Sequence, residues 1–296
     1  MWYACAVISN FSSDEEIFNA PIELGNGVQI ERTPAWLKAD AALENLSWLD
    51  RTAIEGSSLV FSFRYDADAL GSPDPEWHGR EPRSIQSVVD EKLALVSLAL
   101  WLVSPSRLVG HQLLHFRREG DPESRAQFAL LNQILIADYQ VDNIPTAQEF
   151  EKAKDVFSSI LKLIRRGNLW TSIRVLLRAS MEDMWEVRYL LLWIVLEALF
   201  GPTDSREITY RISQRISLFL GSSVGECKAI FEKAKSGYTW RSKVVHGMRL
   251  TSLTESNSKV LTVFLDETIR LTMLKILNSS EIAAKFDSKD REAYLD

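Results

Sequence analysis

A chain of 296 residues that is 46% hydrophobic and 25% charged has the balance of an ordinary globular protein, long enough for two domains, and is not a disordered one. Its longest apolar runs, Leu93–Val103 and Tyr189–Leu196, fall short of the roughly 20 residues a membrane helix needs, so they are read as core. Two cysteines, Cys5 and Cys227, are too few for a disulfide framework or a thiolate metal site, which suits a reducing cytoplasm.

The opening stretch "MWYACAVISNF" reads as a first strand rather than a signal peptide. "PIELGNGVQIE" then alternates Ile22 and Leu24 with Val28 and Ile30 around Asn26-Gly27, the strongest short hairpin signal. No helix start follows those glycines, so they are not a phosphate loop. "PAWLKADAALENLSWL" spaces Trp36, Leu37, Leu43, Leu46 and Leu49 at roughly helical period behind Pro34. "SSLVFSFRYDAD" reads as a strand. After a Gly/Pro-rich loop at 71–82, "SIQSVVDEKLALVSLALWLV" reads as a mostly buried helix, and the stretch from there to about 140 fits strand or helix. Residues 1–146 are thus expected to form an α+β accessory or sensing domain.

From 147 to 296 the expected character is all helix, making the chain mostly helical overall, with helices near 147–165, 168–181, 184–200, 205–220, 223–236, 239–246 and 255–278 punctuated by glycines that include Gly201, Gly221, Gly237 and Gly247. "WEVRYLLLWIVLEALF" is apolar nearly all round and belongs at the centre of a bundle. The next helix carries Arg211 and Arg215 beside an Ile face, where they can look into a cleft. Charge divides with the domains. Residues 1–150 hold 11 basic against 22 acidic side chains, whereas 205–250 hold nine basic against three acidic, a local excess compatible with a polyanionic partner.

Few residues look chemical. His111 and His115 have metal-pair spacing only if helical, and no third ligand or intervening glutamate accompanies them; no metal or cofactor is expected. "YTWRSKVVHGM", residues 238–248, sets Arg241 and His246 five apart, about 140° round a helix. Gly237 is read as the stop of one helix, Thr239 as the N-cap of the next, and Gly247 as a place where another backbone or a substrate comes close.

Together, "RYLLLWIVLEALFG", "RISQRISLFLG" and "RSKVVHG" resemble the HEPN superfamily (higher eukaryotes and prokaryotes nucleotide-binding domains), in particular the Apea-like HEPN group, over roughly residues 150–290. The likeness rests on the order and spacing of these segments and on an R-x(4-6)-H motif that Arg241 and His246 fit. It implies a helical bundle that dimerises so that two motifs face one cleft and, in many members, cuts RNA without metal. Many active members carry Asn, Asp or His after the arginine; Ser242 stands here.

RNA brings its own nucleophile, the 2′-hydroxyl. Histidine, with an ordinary pKa of about 6.5, suits proton transfer, and arginine suits the charge developing on phosphorus. The resemblance therefore implies catalytic Arg241 and His246, with Arg211, Arg215, Lys243 and Trp240 contacting RNA and Glu197, Ser242 and Gly247 orienting the cleft. It also implies a cytoplasmic homodimer in prokaryotic antiviral defence or toxin-like growth arrest, answering to a regulatory partner or phage-derived trigger. Other readings stay open. Arg241 and His246 can simply cap helices and satisfy carboxylates such as Glu197, in a non-catalytic dimerisation scaffold that binds RNA or a nucleotide. Glu197, costly to bury unpaired, is expected to pair with Arg211 or Arg215, and Trp240 either stacks a base or packs at the dimer interface.

Overall fold

The computed structural model describes residues 2–8, 16–39, 46, 48–65, 85–106, 110–116, 127–129, 144–163, 167–182, 184–203, 207–246 and 255–296. Described residues up to Ser158 form one compact unit and those from Ser159 another.

The first unit is built on an antiparallel sheet of order β2-β3-β4-β1-β5-β6, with β1 Trp2–Ile8, β2 Ile22–Gly25, β3 Val28–Arg32, β4 Leu59–Tyr65, β5 Gly110–Phe116 and β6 Gln127–Ala129. The β2–β3 hairpin turns at Asn26 (φ 52°) and Gly27 (φ 78°), the two positive φ values of the tight turn that the Asn-Gly signal demands. β1 is central, pairing Ala4 with Phe63 of β4 and with His115 of β5. Its odd positions Tyr3, Cys5 and Val7 join Val60, Leu114 and Phe116 in a core with Leu37 and Ile54, the latter from helix α1 (Trp48–Glu55). The other face meets helix α2 (Ile85–Val103), which contacts β1, β4 and β5. Covered on both faces, β1 is buried from Tyr3 to Ile8, which is why its sequence is a continuous apolar run rather than an alternation.

Two expectations change here. Of the periodic segment after Pro34, Ala35–Lys38 is a 3-10 turn and Trp48–Glu55 is helix α1; residues 40–45 and 47 lie outside the described set. Lys38 secures the join by donating to the carbonyls of Glu55 (2.9 Å) and Ser57 (2.7 Å), groups left without partners where α1 ends. The His111/His115 stretch is strand β5, which places residues four apart about 13 Å from one another, too far to share an ion. His115 is buried between Tyr65 Oη on Nδ1 and Asp90 Oδ1 on Nε2, each at 2.9 Å.

Helix α3 (Ala147–Leu161) opens with a capping box in which Thr146 N and Oγ1 donate to Glu149 and Glu149 N donates back to Thr146 Oγ1. The second unit comprises α4 Asn168–Ser180, α5 Trp185–Phe200, α6 Ile208–Leu220, α7 Val224–Val245, α8 Glu255–Leu277, α9 Ser280–Phe286 and α10 Arg291–Leu295. As its all-round apolarity requires, α5 sits in the middle, packing against α4, α6, α7 and α8. Its two charged residues that meet neighbouring helices are both paired: Arg188 reaches Asp266 of α8 at 3.2 Å and Glu197 reaches Arg241 of α7 at 3.0 Å. The first pair is nearly buried, with Asp266 1% exposed, so α8 can seat only where a cation awaits it. No described helix is long and apolar enough to cross a membrane.

The expected break at Gly237 is absent. α7 runs 22 residues without interruption, and Thr239 Oγ1 donates to Lys235 O instead of capping a new helix. Gly237 serves packing: a Cβ there would lie 2.9 Å from Trp193 Cζ2 and 3.4 Å from Tyr189 Oη. Tyr189 Oη donates to the Gly237 carbonyl at 2.7 Å, a contact that needs the close approach a glycine allows.

Candidate functional site

Tyr189, Trp193 and Glu197 recur every four residues along α5 and so share one face, turned to Gly237, Tyr238 and Arg241 of α7. Gly237 lets the helices close. Trp193 and Tyr238 then meet edge to face with centroids 5.1 Å apart. One turn further along, Glu197 accepts from Tyr238 Oη at 2.8 Å and from Arg241 Nη2 at 3.2 Å. The guanidinium also lies over the Tyr238 ring, 5.5 Å from its centroid. Burial, and then the bond to Glu197, push the Tyr238 phenol up to about 12, so at neutral pH it stays a hydrogen-bond donor.

Glu197 thus pairs with Arg241, not with Arg211 or Arg215. Both partners keep about a quarter of their side-chain surface exposed, 27% and 26%, and Arg241 Nε is buried without a partner. The carboxylate engages only Nη2 among described contacts.

His246 terminates α7 as its C-cap, with φ −83° and ψ 7°. Its side chain is exposed and makes no hydrogen bond to a described residue. It sits about 140° round the axis and about 7.5 Å along it from Arg241, so a single copy does not bring the two side chains onto one face. Ser242 is exposed, and Gly247 lies outside the described residues. Lys243 Nζ rests 4.0 Å above the Trp240 ring, a cation–π stack at the partly exposed end of α7.

Arg211 and Arg215 do not look into an open cleft. Arg215 is 2% exposed and donates to Phe200 O (3.0 Å), Glu292 Oε1 (2.9 Å) and Asp296 Oδ1 (2.7 Å). Arg211 reaches Asp296 Oδ2 at 3.1 Å. Bonds from Thr203 and Arg215 hold the Glu292 carboxyl down at about 2, and Asp296 is likewise lowered by Arg215. The two arginines thus anchor the helix α10 to α6, and Arg215 ties both to the end of α5. Sequence reasoning had no sign of these partners, nor of Tyr238, whose hydroxyl completes the Glu197 site; its position one turn before Arg241 on α7 was the available signal.

No protein-family model, curated protein or solved structure matches the chain.

Proposed function

We propose that the helical unit is a metal-independent endoribonuclease of the HEPN type, working as a homodimer. The observation that carries this reading is the presence, toward one helix end, of an exposed imidazole, His246, and of a guanidinium, Arg241, that Glu197 and Tyr238 hold in place. A histidine of one copy removes the proton from the 2′-hydroxyl, the 2′-oxygen attacks phosphorus, and the bond from phosphorus to the 5′-oxygen breaks. The histidine of the other copy protonates that leaving oxygen. Products are a 2′,3′-cyclic phosphate and a 5′-hydroxyl. Arg241 stabilises the equatorial oxygens through its partly exposed guanidinium. Two copies are needed because one imidazole does not serve both ends of the scissile bond at once, and because Arg241 and His246 diverge within a copy. Lys243 and Trp240 meet the flanking RNA; Arg211 and Arg215 have no part in it.

A second reading, a non-catalytic dimerisation scaffold that binds RNA or a nucleotide, is favoured by one observation: Glu197 already satisfies Arg241 as a helix-to-helix tie. The experiment is incubation of wild-type and His246→Ala protein with tRNA and total RNA in the presence of chelator. Wild type yields fragments ending in cyclic phosphate and the variant falls to background. Equal cleavage by both proteins, or none by a wild type shown to be dimeric, rules the nuclease out and leaves the scaffold.

A further inference from the structure

Helix α8 is apolar on two opposite sides. Leu265, Ile269, Met273 and Ile276 are buried against the bundle. Val260, Val263, Phe264, Leu271 and Leu274, with Glu267 among them, fall within about 100° of arc on the other side. None of these is fully buried, and Val260 and Leu271 are 65% and 42% exposed. The spacing of Val260, Phe264, Glu267 and Leu271 is four-three-four, the seam by which one helix packs along another. A helix apolar on both sides sits between two partners, and the bundle supplies only one.

The uncovered side also faces a groove. α7 and α8 each pack on α5 but make little backbone contact with one another, and between them lies a space of about 670 Å³ floored by Val260, Val263 and Phe264 and walled by Glu232, Lys233 and Ser236 of α7. Its rim carries both signs: Lys233 on the α7 wall, 6.0 Å from the Phe264 ring, and Glu267 on the α8 wall. A surface that offers an apolar seam together with an ammonium and a carboxylate can complement itself across a two-fold axis, where Lys233 of each copy meets Glu267 of the other.

We infer that this face of α8, with the adjoining α7 wall, is where a second copy of the chain docks. The inference deepens the proposed function, which calls for two copies, by assigning the surface. It is tested without RNA, so the two fail separately: a dimer broken here in a protein that never cleaves RNA supports the interface and removes the nuclease, whereas RNA cleavage by a dimer indifferent to changes on this face removes the interface alone.

The mass of the full chain is measured by light scattering across a concentration series for wild type, Val260→Lys/Leu271→Lys, Glu267→Lys, and Glu267→Lys/Lys233→Glu. Val260, Glu267 and Leu271 are already exposed, so these changes spare the folded monomer, which circular dichroism verifies. The expected result is a wild-type mass twice the 33.7 kDa chain, halved by the double lysine variant, with the dissociation constant raised at least tenfold by Glu267→Lys and restored by the charge swap. A wild type that is monomeric throughout overturns the inference, whatever other protein the face binds. So does a dimer indifferent to Val260→Lys/Leu271→Lys. Should that variant fail to fold, the charge pair decides: weakening by Glu267→Lys with rescue by the swap supports this face, and no change in either overturns it.

Discussion

Glu197 and Arg241 face each other across α5 and α7 with 3.0 Å between Oε1 and Nη2, and Tyr238 shares the same carboxylate at 2.8 Å. Replacing Glu197 by Ala leaves two donors unpaired at a partly exposed site, expected to cost about 1 kcal/mol of stability. If Arg241 must be aimed at phosphate, the same change lowers RNA cleavage by up to about 100-fold. Thermal unfolding and cleavage rates measured on one preparation separate the two effects, and a rate that merely tracks the folded fraction gives Glu197 a structural role only.

Gly237→Ala pits two local effects against each other. Alanine favours a helix interior by about 1 kcal/mol, yet its methyl would stand 2.9 Å from the Trp193 ring, and overpacking a tight contact costs about 1–3 kcal/mol. A net destabilisation near 1 kcal/mol is expected by denaturant titration. A more stable variant would mean that α5 and α7 part freely at this level.

Arg215 is tested as an anchor. Arg215→Ala removes the bonds to Phe200, Glu292 and Asp296, and a loss of about 2 kcal/mol is expected, limited because both carboxylates can turn to water. The same clamp makes the stability of α10 pH-dependent. Glu292 sits at about 2 against an ordinary 4.5, so its contribution is complete above 4.5 and fades as pH falls toward 2. Amide exchange in residues 291–295 reports the release, and Arg215→Ala should weaken this acid transition, leaving the part that the Thr203 bonds supply.

Lys243→Ala is the complementary case. Its ammonium caps the Trp240 ring near the surface, so stability should shift by less than about 0.5 kcal/mol. The slope of RNA affinity against salt should fall by about 0.7, the value for one phosphate contact on a single strand. Arg215→Ala should leave that slope unchanged, and a reversed pattern would return the RNA path to α6.

The hairpin at Asn26-Gly27, the strands at 2–8 and 59–65, and the central place of α5 were legible because each is set by a short-range pattern: positive-φ residues, a run of β-formers, an all-round apolar helix. Gly237 was misread because a mid-helix glycine carries the same local signal as a helix stop; its reason for being there, the Trp193 ring, lies 44 residues upstream. The partners of Arg211 and Arg215 failed in the same way, whereas Arg241 as the partner of Glu197 was one of the pairings the sequence left open. Opposite charge can be read from a sequence, but which arginine meets which carboxylate depends on the rotation of packed helices, and Arg215 is claimed by residues 77 and 81 positions away. The strand β5 escaped because "GHQLLHF" fits either period.

The strand β1 is translated before either of the neighbours that flank it. A growing chain cannot complete one edge until Leu59–Tyr65 has left the ribosome, nor the other until Gly110–Phe116 follows. Throughout that interval the nascent polypeptide carries an apolar ribbon with unpaired amides, open to another ribbon of its kind. Slow late pairing of this sort makes synthesis, more than the finished molecule, the stage at which the sheet half is vulnerable to aggregation.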